Sequence, residues 1–437
     1  MTTPEIVRVA GVLVIFLALA GLMYGGRLPA LLALPTMAVL VSIIGGIPAS
    51  QIVTEVIGQG AFRLAEAMVA AMLGSMLAAM LDKSGVAASM IKRAAELGGD
   101  RPLVMGFILI VVIFVLFIAL SGLGAVVMVA TIAFPIMLSL GLPPLLAGSL
   151  FLIAMSAGGV LNVQNWQFFI TLFTVSGAQQ LGQDQIRPFA MPLAAIMLAT
   201  AFAFLLFEWQ RQGRRRLWAE PAQESAPSAR WWAFLTPVVP LAIILVSDLG
   251  WGYQFSINAA LVIGLTYGAA ASFRRGPGSI QLLSRSAFDG IANVAPAIAL
   301  MIGIGMVLKA LSAPQVVELV RPVLVAITPG SVLGFVALFA VLAPLALYRG
   351  PLNLWGMGFG LAAALWATGV LPPGAIMVAF LAVGQIQGVC DPTNTHNVWV
   401  ANYLGIDVQH ILRRTLPYVW VAAVVGLIIG GFMFVRH

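Results

Sequence analysis

Four short polar segments interrupt long apolar runs in this sequence, and they hold most of the side chains that could do chemistry. The segments are 121–124, 156–166, 348–353 and 385–397. Their amides, hydroxyls and single carboxylate are groups that bind a small polar solute or an ion. The chain's one cysteine, Cys390, excludes an intrachain disulfide and a cysteine-cluster metal site. We therefore predict no metal site and no cofactor.

Arg349, in the third polar segment, is the most distinctive of these residues. If the flanking apolar runs cross a bilayer, its guanidinium lies where a charge costs about 2.5–3.5 kcal/mol. The planar guanidinium also matches a carboxylate in a bidentate geometry. We therefore predict that Arg349 binds an anionic substrate. The alternatives are an ion pair with Asp391, or a side chain that snorkels to the membrane interface.

Two titratable residues of the fourth segment, Asp391 and His396, are predicted to carry a proton or bind a cation. A buried acid can exchange a proton near neutral pH, and histidine titrates in the same range. For Asp391 the alternative is a structural counter-ion, and for His396 it is an ordinary hydrogen bond. Because Pro392 lacks a backbone donor and Gly388 relaxes the helix, this segment is expected to be unwound.

The remaining candidates are small polar residues and glycines of the same segments, which are predicted to contact the polar end of a substrate. They are Ser121, Gly122, Gly159, Asn162, Asn165, Gly350, Asn353, Thr393 and Asn394. The alternative is that they satisfy backbone groups that the unwinding exposes. Helices that begin just after the breaks would add partial positive charge toward an anion.

The elements that position these residues follow from the composition. The chain has 437 residues, of which 61% are hydrophobic and 8% are charged, whereas soluble proteins carry about 25% charged residues. The mean hydropathy is +1.04, and the apolar runs approach the roughly 20 residues that span a bilayer as a helix. The sequence therefore predicts an all-α polytopic membrane protein and excludes a soluble globular one.

An internal repeat divides the chain into two halves. A shift of 229 positions aligns Leu142-Pro143-Pro144 with Leu371-Pro372-Pro373, and it aligns Asn165 with Asn394. The predicted domains are an N-terminal repeat at 1–208, a linker at 209–230 and a C-terminal repeat at 231–437.

Each half is predicted to contain a re-entrant hairpin followed by a broken helix. The hairpins are expected at about 102–140 and 330–370, and the broken helices at about 143–175 and 372–400. Each half then crosses the membrane an odd number of times, so the second repeat is inverted relative to the first. Inverted repeats with broken helices are typical of secondary transporters, which bind substrate near the bilayer midplane.

The net charge of +7 reflects membrane topology rather than nucleic-acid binding. Most lysines and arginines fall in segments that share one side of the membrane if the linker is cytoplasmic, which fits the positive-inside rule. We predict a bacterial-type inner (plasma) membrane protein with both termini on the side opposite the linker. The bilayer is then its partner, and nucleic acid is not.

The polar segments resemble the corresponding parts of the ion transporter superfamily, which includes divalent-anion/sodium symporters and citrate and gluconate permeases. The resemblance is carried by Ser121-Gly122, by 158–165, by Arg349-Gly350-Pro351-Leu352-Asn353 and by Asp391-Pro392-Thr393-Asn394. It implies substrate binding at the hairpin tips and unwound segments. It also implies an elevator mechanism and a homodimer.

The two predicted hairpin tips depart from the sodium-coupled members of that superfamily, which have a Ser-Asn-Thr triplet at each tip. This chain has Ser121-Gly122-Leu123 and Gly350-Pro351-Leu352 instead. Because hard cations require several oxygen ligands, this departure favours coupling to H⁺ over coupling to Na⁺.

Together these features predict a secondary active transporter of small organic anions, the carboxylates, and not an enzyme. The chain has no Walker-type phosphate loop, no His-Glu-x-x-His motif and no Gly-x-Ser-x-Gly motif. The alternatives are a cation/proton antiporter of the same superfamily, a channel and a polytopic membrane enzyme.

Overall fold

The structure is a computed structural model that describes residues 3–24, 27–98, 102–139, 141–175, 178–212, 229–253, 255–272, 278–354 and 358–435. The α-helices are α1 Thr3–Tyr24, α2 Ala30–Gly45, α3 Ala49–Gln51, α4 Gly60–Phe62, α5 Ala65–Lys83, α6 Val86–Gly98, α7 Pro102–Phe117, α8 Gly122–Ser139, α9 Pro144–Val160, α10 Val163–Leu172, α11 Gln183–Gln212, α12 Val239–Trp251, α13 Ile257–Ser272, α14 Gly278–Ser312, α15 Pro314–Ile327, α16 Val332–Leu342, α17 Gly358–Ala367, α18 Pro373–Cys390, α19 Thr395–Leu404 and α20 Val408–Phe434. A π-helix, Ile52–Gln59, joins α3 to α4, and 3-10 helices cover Trp231–Leu235 and Ala343–Arg349.

A short β-ladder follows α10. Its strands, β1 Thr174–Val175 and β2 Ala178–Gln179, pair antiparallel with Thr174 opposite Gln179. The chain turns back here before α11 begins, and backbone groups that leave a helix need partners. The predicted helical class is therefore confirmed, with this two-residue ladder as a small correction to all-α.

The described residues include five helical stretches that are long and apolar enough to cross a membrane. They are Ala49–Lys83, Gln183–Arg211, Leu283–Ser312, Pro373–Leu404 and Val408–Phe434. Two bent helix pairs raise the number to seven if each pair is one span: Pro144–Val160 with Val163–Leu172 at 54°, and Pro314–Ile327 with Val332–Tyr348 at 97°. The predicted polytopic membrane protein is confirmed at this level.

Two broken helices form the centre of the molecule. Proline is favoured in the first turn of a helix, where its missing N–H would have no partner, and both α9 and α18 begin at such a proline. Both helices are buried along most of their length. Each stops at a polar residue, Asn162 or Asp391, and a second short helix follows, α10 or α19.

The long helices α5 and α14 pack closely against each other beside this centre. A Cβ added at Gly290 of α14 would lie 2.6 Å from Met76 Cα of α5. On the preceding α4, a Cβ at Gly60 would lie 2.8 Å from Met306 Cα of α14. Small residues of this kind let helix backbones approach each other in membrane proteins. At the same crossing, Ser75 Oγ donates a hydrogen bond to the Gly290 carbonyl at 2.7 Å.

Lysines tie α14 to the Ala49–Lys83 stretch near both of its ends. Lys83 forms an ion pair with Asp289. Toward the other end, Lys309 Nζ donates to Gln59 Oε1 at 2.9 Å and lies 3.5 Å from a Glu55 carboxylate oxygen. The helix pair is therefore held both by backbone contact and by paired side chains.

Replacing Gly290 with alanine is expected to lower the melting temperature of the detergent-purified protein. The added Cβ would meet the backbone at Met76, and overpacking of this kind costs about 1–3 kcal/mol. Intrinsic fluorescence from the 10 tryptophans reports the transition. The control is Gly250→Ala, because a Cβ at Gly250 meets nothing within 4 Å. Equal melting temperatures for the two variants would contradict the close α5–α14 contact.

The predicted linker, 209–230, falls largely outside the described residues, which omit 213–228. Its first residues are helical, because α11 continues to Gln212. Near its end, the Ala229 backbone N–H donates to Ser89 Oγ at 2.9 Å. The inverted orientation of the two repeats, the re-entrant hairpins and the sides of the termini stay predictions.

Candidate functional site

Asn162 joins the break between α9 and α10 to the end of α7. Its Oδ1 accepts a hydrogen bond from the Gln164 backbone N–H at 3.0 Å and so caps α10. Its Nδ2 donates to the carbonyls of Phe117 at 3.3 Å and Leu120 at 3.1 Å. Those carbonyls lack helical partners because α7 ends at Phe117. Asn162 therefore satisfies one N–H group at the start of α10 and two carbonyls at and beyond the end of α7.

Gln164 also connects the start of α10 to the segment that follows α7. Its Nε2 donates to the Ala119 carbonyl at 3.1 Å, and its Oε1 accepts from Ser121 Oγ at 3.1 Å. A Cβ at Gly74 would overlap the Gln164 amide, so a larger residue there would displace that amide from its hydrogen bonds. The sequence prediction did not include Gln164 among the site residues.

Asp391 performs the equivalent role at the second break, where α18 gives way to α19. Its Oδ1 accepts from the Tyr348 N–H at 3.0 Å and from the Thr393 N–H and Oγ1 at 2.9 and 2.7 Å. Its Oδ2 accepts from Asn353 Nδ2 at 3.1 Å. Only 1% of Asp391 is exposed. The carboxylate therefore fastens the segment around Tyr348 to the break.

The two capping residues occupy equivalent positions under the 229-residue shift, because 162 aligns with 391. Asn162 uses its amide to donate to carbonyls, whereas Asp391 uses both carboxylate oxygens to accept from N–H and O–H donors. An amide can do both, but an ionised carboxylate only accepts. The choice between them thus matches the groups that each neighbouring segment presents.

Asn165 and Asn394, also equivalent under that shift, reach back across their breaks. Asn165 Nδ2 donates to the Gly159 carbonyl at 2.8 Å, and Asn394 Nδ2 donates to the Gln387 carbonyl at 3.3 Å. His396 Nε2 lies 3.2 Å from the Gly388 carbonyl oxygen. Asn165 and Asn394 therefore each satisfy a carbonyl near a break, which is the alternative role that the sequence analysis gave them.

A cavity of about 420 Å³ lies between the two broken helices, the 118–122 turn and the α5–α14 pair. Nine of the sequence-predicted residues line it. They are Ser121, Gly122, Gly159, Asn162, Asn165, Asn353, Asp391, Asn394 and His396. The structure thus brings residues of all four polar segments into one internal space, and the 348–353 segment contributes its last residue, Asn353.

The other three predicted residues are Arg349, Gly350 and Thr393. The side chain of Arg349 lies outside the described residues, so its predicted roles stay predictions. Gly350 is packed against the carbonyls of Leu345 and Leu347, where a Cβ would overlap the backbone. Thr393 donates to Asp391 and does not line the cavity. Gly350 and Thr393 therefore shape the break rather than the cavity surface.

Several polar lining residues were not predicted as site residues. They are Ser75, Ser156, Gln164, Asn293, Gln385, Gln387 and Thr395. Ser156 Oγ donates to Gln385 Oε1 at 2.8 Å and so joins α9 to α18. These two residues are 229 positions apart, so the repeat spacing itself was the signal for them. Ser75 and Asn293 are isolated polar residues on α5 and α14, and no pattern marked them.

Three helix N-termini and one acidic side chain determine the charge around the cavity. Three helices begin at its surface: α8 at Gly122, α10 just after Asn162 and α19 at Thr395. Helix N-termini carry partial positive charge and free N–H groups. Among the described lining residues Asp391 is the one acid, and none is a lysine or an arginine.

The remainder of the cavity surface is apolar and much of it is aromatic. Phe117, Phe168, Phe169 and Phe380 contribute rings, and α14 contributes Met301 among other apolar residues. A solute with a polar end and a less polar body fits this division. Within the described part of the chain, no group of three or more His, Cys, Asp or Glu side chains is arranged to hold a metal ion.

Comparison with known proteins gives likeness in structure only. No family model and no curated protein sequence matches the chain. The crystal structure of the YdaH transporter of Alcanivorax borkumensis aligns with 16% identity and a TM-score of 0.60 over 88% of this chain and 89% of that one. MtrF of Neisseria gonorrhoeae, described within a class of antimetabolite efflux pumps, aligns with 13% identity and a TM-score of 0.58 over 92% and 93%.

Both of these structures are of transporters. They do not decide the predicted resemblance to the ion transporter superfamily, which stays a prediction. Together with the membrane-spanning helices, they give a coarser conclusion. The chain has the fold of a multi-pass helical membrane transporter.

Proposed function

We propose that the chain is a secondary active transporter of small organic anions, with carboxylates as the substrate class. The observation that carries the proposal is the convergence of three helix N-termini and the amides of both breaks on one cavity. Helix N-termini bind carboxylates and phosphates through free N–H groups and the helix dipole. The aromatic part of the surface then accommodates the rest of the solute.

The one acid of the described lining does not oppose this proposal. Asp391 accepts hydrogen bonds from Tyr348, Asn353 and Thr393, so donors of the chain already occupy both carboxylate oxygens and stabilise the ionised form. Arg349 immediately follows Tyr348 in the chain, and we propose that its guanidinium adds a positive charge at this end of the cavity. A bidentate arginine would then bind one carboxylate.

We further propose an elevator mechanism in a homodimer. The polar groups of the cavity belong mainly to the breaks around α9, α10, α18 and α19, whereas the facing wall is formed by the closely packed α5 and α14. A mainly apolar wall offers few hydrogen bonds that would resist sliding of the polar side. The proposed setting is a bacterial-type inner membrane with the linker in the cytoplasm.

Coupling to H⁺ is proposed over coupling to Na⁺, with Asp391 and His396 as the titratable groups of the cavity. Sodium would need several oxygen ligands, and the first tip offers Ser121, whose hydroxyl already donates to Gln164. The second candidate function is a cation/proton antiporter. It is favoured by one observation, that Asp391 is the one acid among the described lining residues.

A thermal-shift panel on the purified protein tests the proposal. Mono-, di- and tricarboxylates are each added with and without Na⁺ at two pH values, because a ligand that binds the native state raises its stability. We expect one class of carboxylate to raise the melting temperature, more strongly at the lower pH and equally with or without Na⁺. A shift from Na⁺ alone, with none from any carboxylate, would reject the proposal in favour of the antiporter.

A further inference from the structure

A second, smaller cavity of about 250 Å³ adjoins the main one. The two share Ser75, Ser121 and Asn293 in their linings. Beyond these three residues, the smaller cavity extends to Asp82, Lys83 and Asp289, and its other walls are alanines. Since the same three side chains border both spaces, the two cavities adjoin, and a path from one to the other would pass these three residues, the neck.

The mouth of this path is bordered by an ion pair. Lys83, the last residue of α5, pairs with Asp289 of α14, and their side chains are 26% and 55% exposed. This is the end of α5 that the distribution of basic residues assigns to the cytoplasm. The pair therefore lies between the smaller cavity and the surface on that side.

One wall of the neck is formed by α5 and α14, and the opposing wall is formed by the start of α8 and the residue before it. Ser75 Oγ donates to the Gly290 carbonyl, which holds α5 against α14, and Asn293 follows one helical turn after Gly290. The opposing wall comes from Ser121 and from Ala125 of α8. Ser121 also lines the main cavity, and its hydroxyl donates a hydrogen bond to Gln164 Oε1.

From this arrangement we infer that the smaller cavity is the aqueous access path between the main cavity and the cytoplasmic face, and that the Lys83–Asp289 pair restricts its mouth. The inference rests on the proposed transport function, since it supplies the route by which a solute reaches the cavity. With Asp82 included, the mouth carries one net negative charge when all three groups are ionised. A negatively charged reagent therefore tests the path under its least favourable condition.

Cysteine labelling in sealed vesicles of known orientation tests the path. The chain's one cysteine, Cys390, is buried beside Thr415, so a Cys390→Ala background leaves introduced cysteines as the only targets. The probe is a membrane-impermeant, anionic methanethiosulfonate, applied from either side. The test positions are Asn293→Cys and, in case that variant does not fold, Ser121→Cys. Ser50→Cys is the sidedness control, because exposed Ser50 lies at the opposite end of the span that finishes at Lys83.

We expect the neck cysteine to react from the Lys83 side and the Ser50→Cys control to react from the other side. Adding Lys83→Met together with Asp289→Asn removes the ion pair and leaves the net charge of the mouth unchanged. We expect this double substitution to raise the neck labelling rate about two- to fivefold, the range that an exposed ion pair can account for. Lys309→Met is the matched control, because it removes the tie at the other end of α14. It should leave the rate unchanged.

Neck labelling only from the Ser50 side, or none from the Lys83 side even with the double substitution Lys83→Met and Asp289→Asn, would overturn the access path. An equal increase with the double substitution Lys83→Met and Asp289→Asn and with Lys309→Met would overturn the role of the ion pair. The labelling itself uses no carboxylate, so it separates this inference from the proposed function. Labelling from the Lys83 side that no carboxylate slows would keep the path and count against carboxylate binding.

Discussion

Replacing Gly384 with leucine is expected to reduce transport to background while leaving the protein folded. Gly384 lies on α18 and lines the main cavity, and a Cβ at this position meets nothing within 4 Å. A leucine side chain would therefore extend into the space that the solute is proposed to occupy. We expect the carboxylate-induced thermal shift to be lost and uptake to fall to the level of protein-free liposomes, because a filled cavity leaves no room for the solute.

The matched control for this substitution is Gly21→Leu. Gly21 is an exposed residue of α1, and a Cβ there also meets nothing within 4 Å. Both variants should keep a melting temperature close to that of the parent without ligand. Wild-type uptake by Gly384→Leu, in a protein that also keeps its ligand shift, would show that the solute binds elsewhere.

Replacing Asp391 with alanine is expected to destabilise the protein and abolish transport. The donors of Tyr348, Asn353 and Thr393 would lose a buried acceptor, and each buried group left unpaired costs about 1–3 kcal/mol. We expect a melting temperature clearly below that of the parent protein. An unchanged melting temperature would contradict the structural role of Asp391.

Asp391→Asn separates this structural role from proton coupling. The asparagine keeps one acceptor oxygen, and rotation of the Asn353 amide can present its own oxygen to the new Nδ2. We therefore expect this variant to fold and to bind carboxylate but to lose accumulation driven by a pH gradient. Retained pH-driven accumulation would assign Asp391 a purely structural role and leave His396 as the titratable group.

The sequence was sufficient to predict the helical membrane class and the position of the breaks. Polar residues in runs of apolar ones, preceded by Leu-Pro-Pro, have few explanations other than a helix that starts at proline and stops within the membrane. The helix ends at Val160 and Cys390 fall inside the predicted polar segments. The starts of these two helices at Pro144 and Pro373 agree with the preference of proline for the first turn of a helix.

The partners of individual side chains could not be read in the same way. Arg349 was the expected counter-ion of Asp391 in one interpretation, yet the carboxylate also accepts from Tyr348, Asn353 and Thr393, three donors that only the folded segment brings together. Gly350 looked like a substrate contact because of its neighbours, but its position is set by close approach to the Leu345 carbonyl. Such contacts depend on tertiary packing, which local sequence does not encode.

The wall opposite the breaks shows the same limit. Ser75 and Asn293 lie on helices that are distant in sequence from every break, and they reach the cavity only because α5 and α14 pack closely together. A single serine or asparagine within an apolar helix carries no positional signal. Ser156 and Gln385, one repeat length apart, could have been found by comparing the two halves.

The central claim, that the main cavity carries a carboxylate, is tested most directly by uptake into proteoliposomes. The carboxylate with the largest thermal shift is supplied outside, with either an inward proton gradient or an inward sodium gradient. We expect the parent protein to accumulate the carboxylate above its external concentration with the proton gradient, and we expect the Gly384→Leu variant to show no accumulation. No movement of any binding carboxylate under either gradient, in either direction across the membrane, would contradict it.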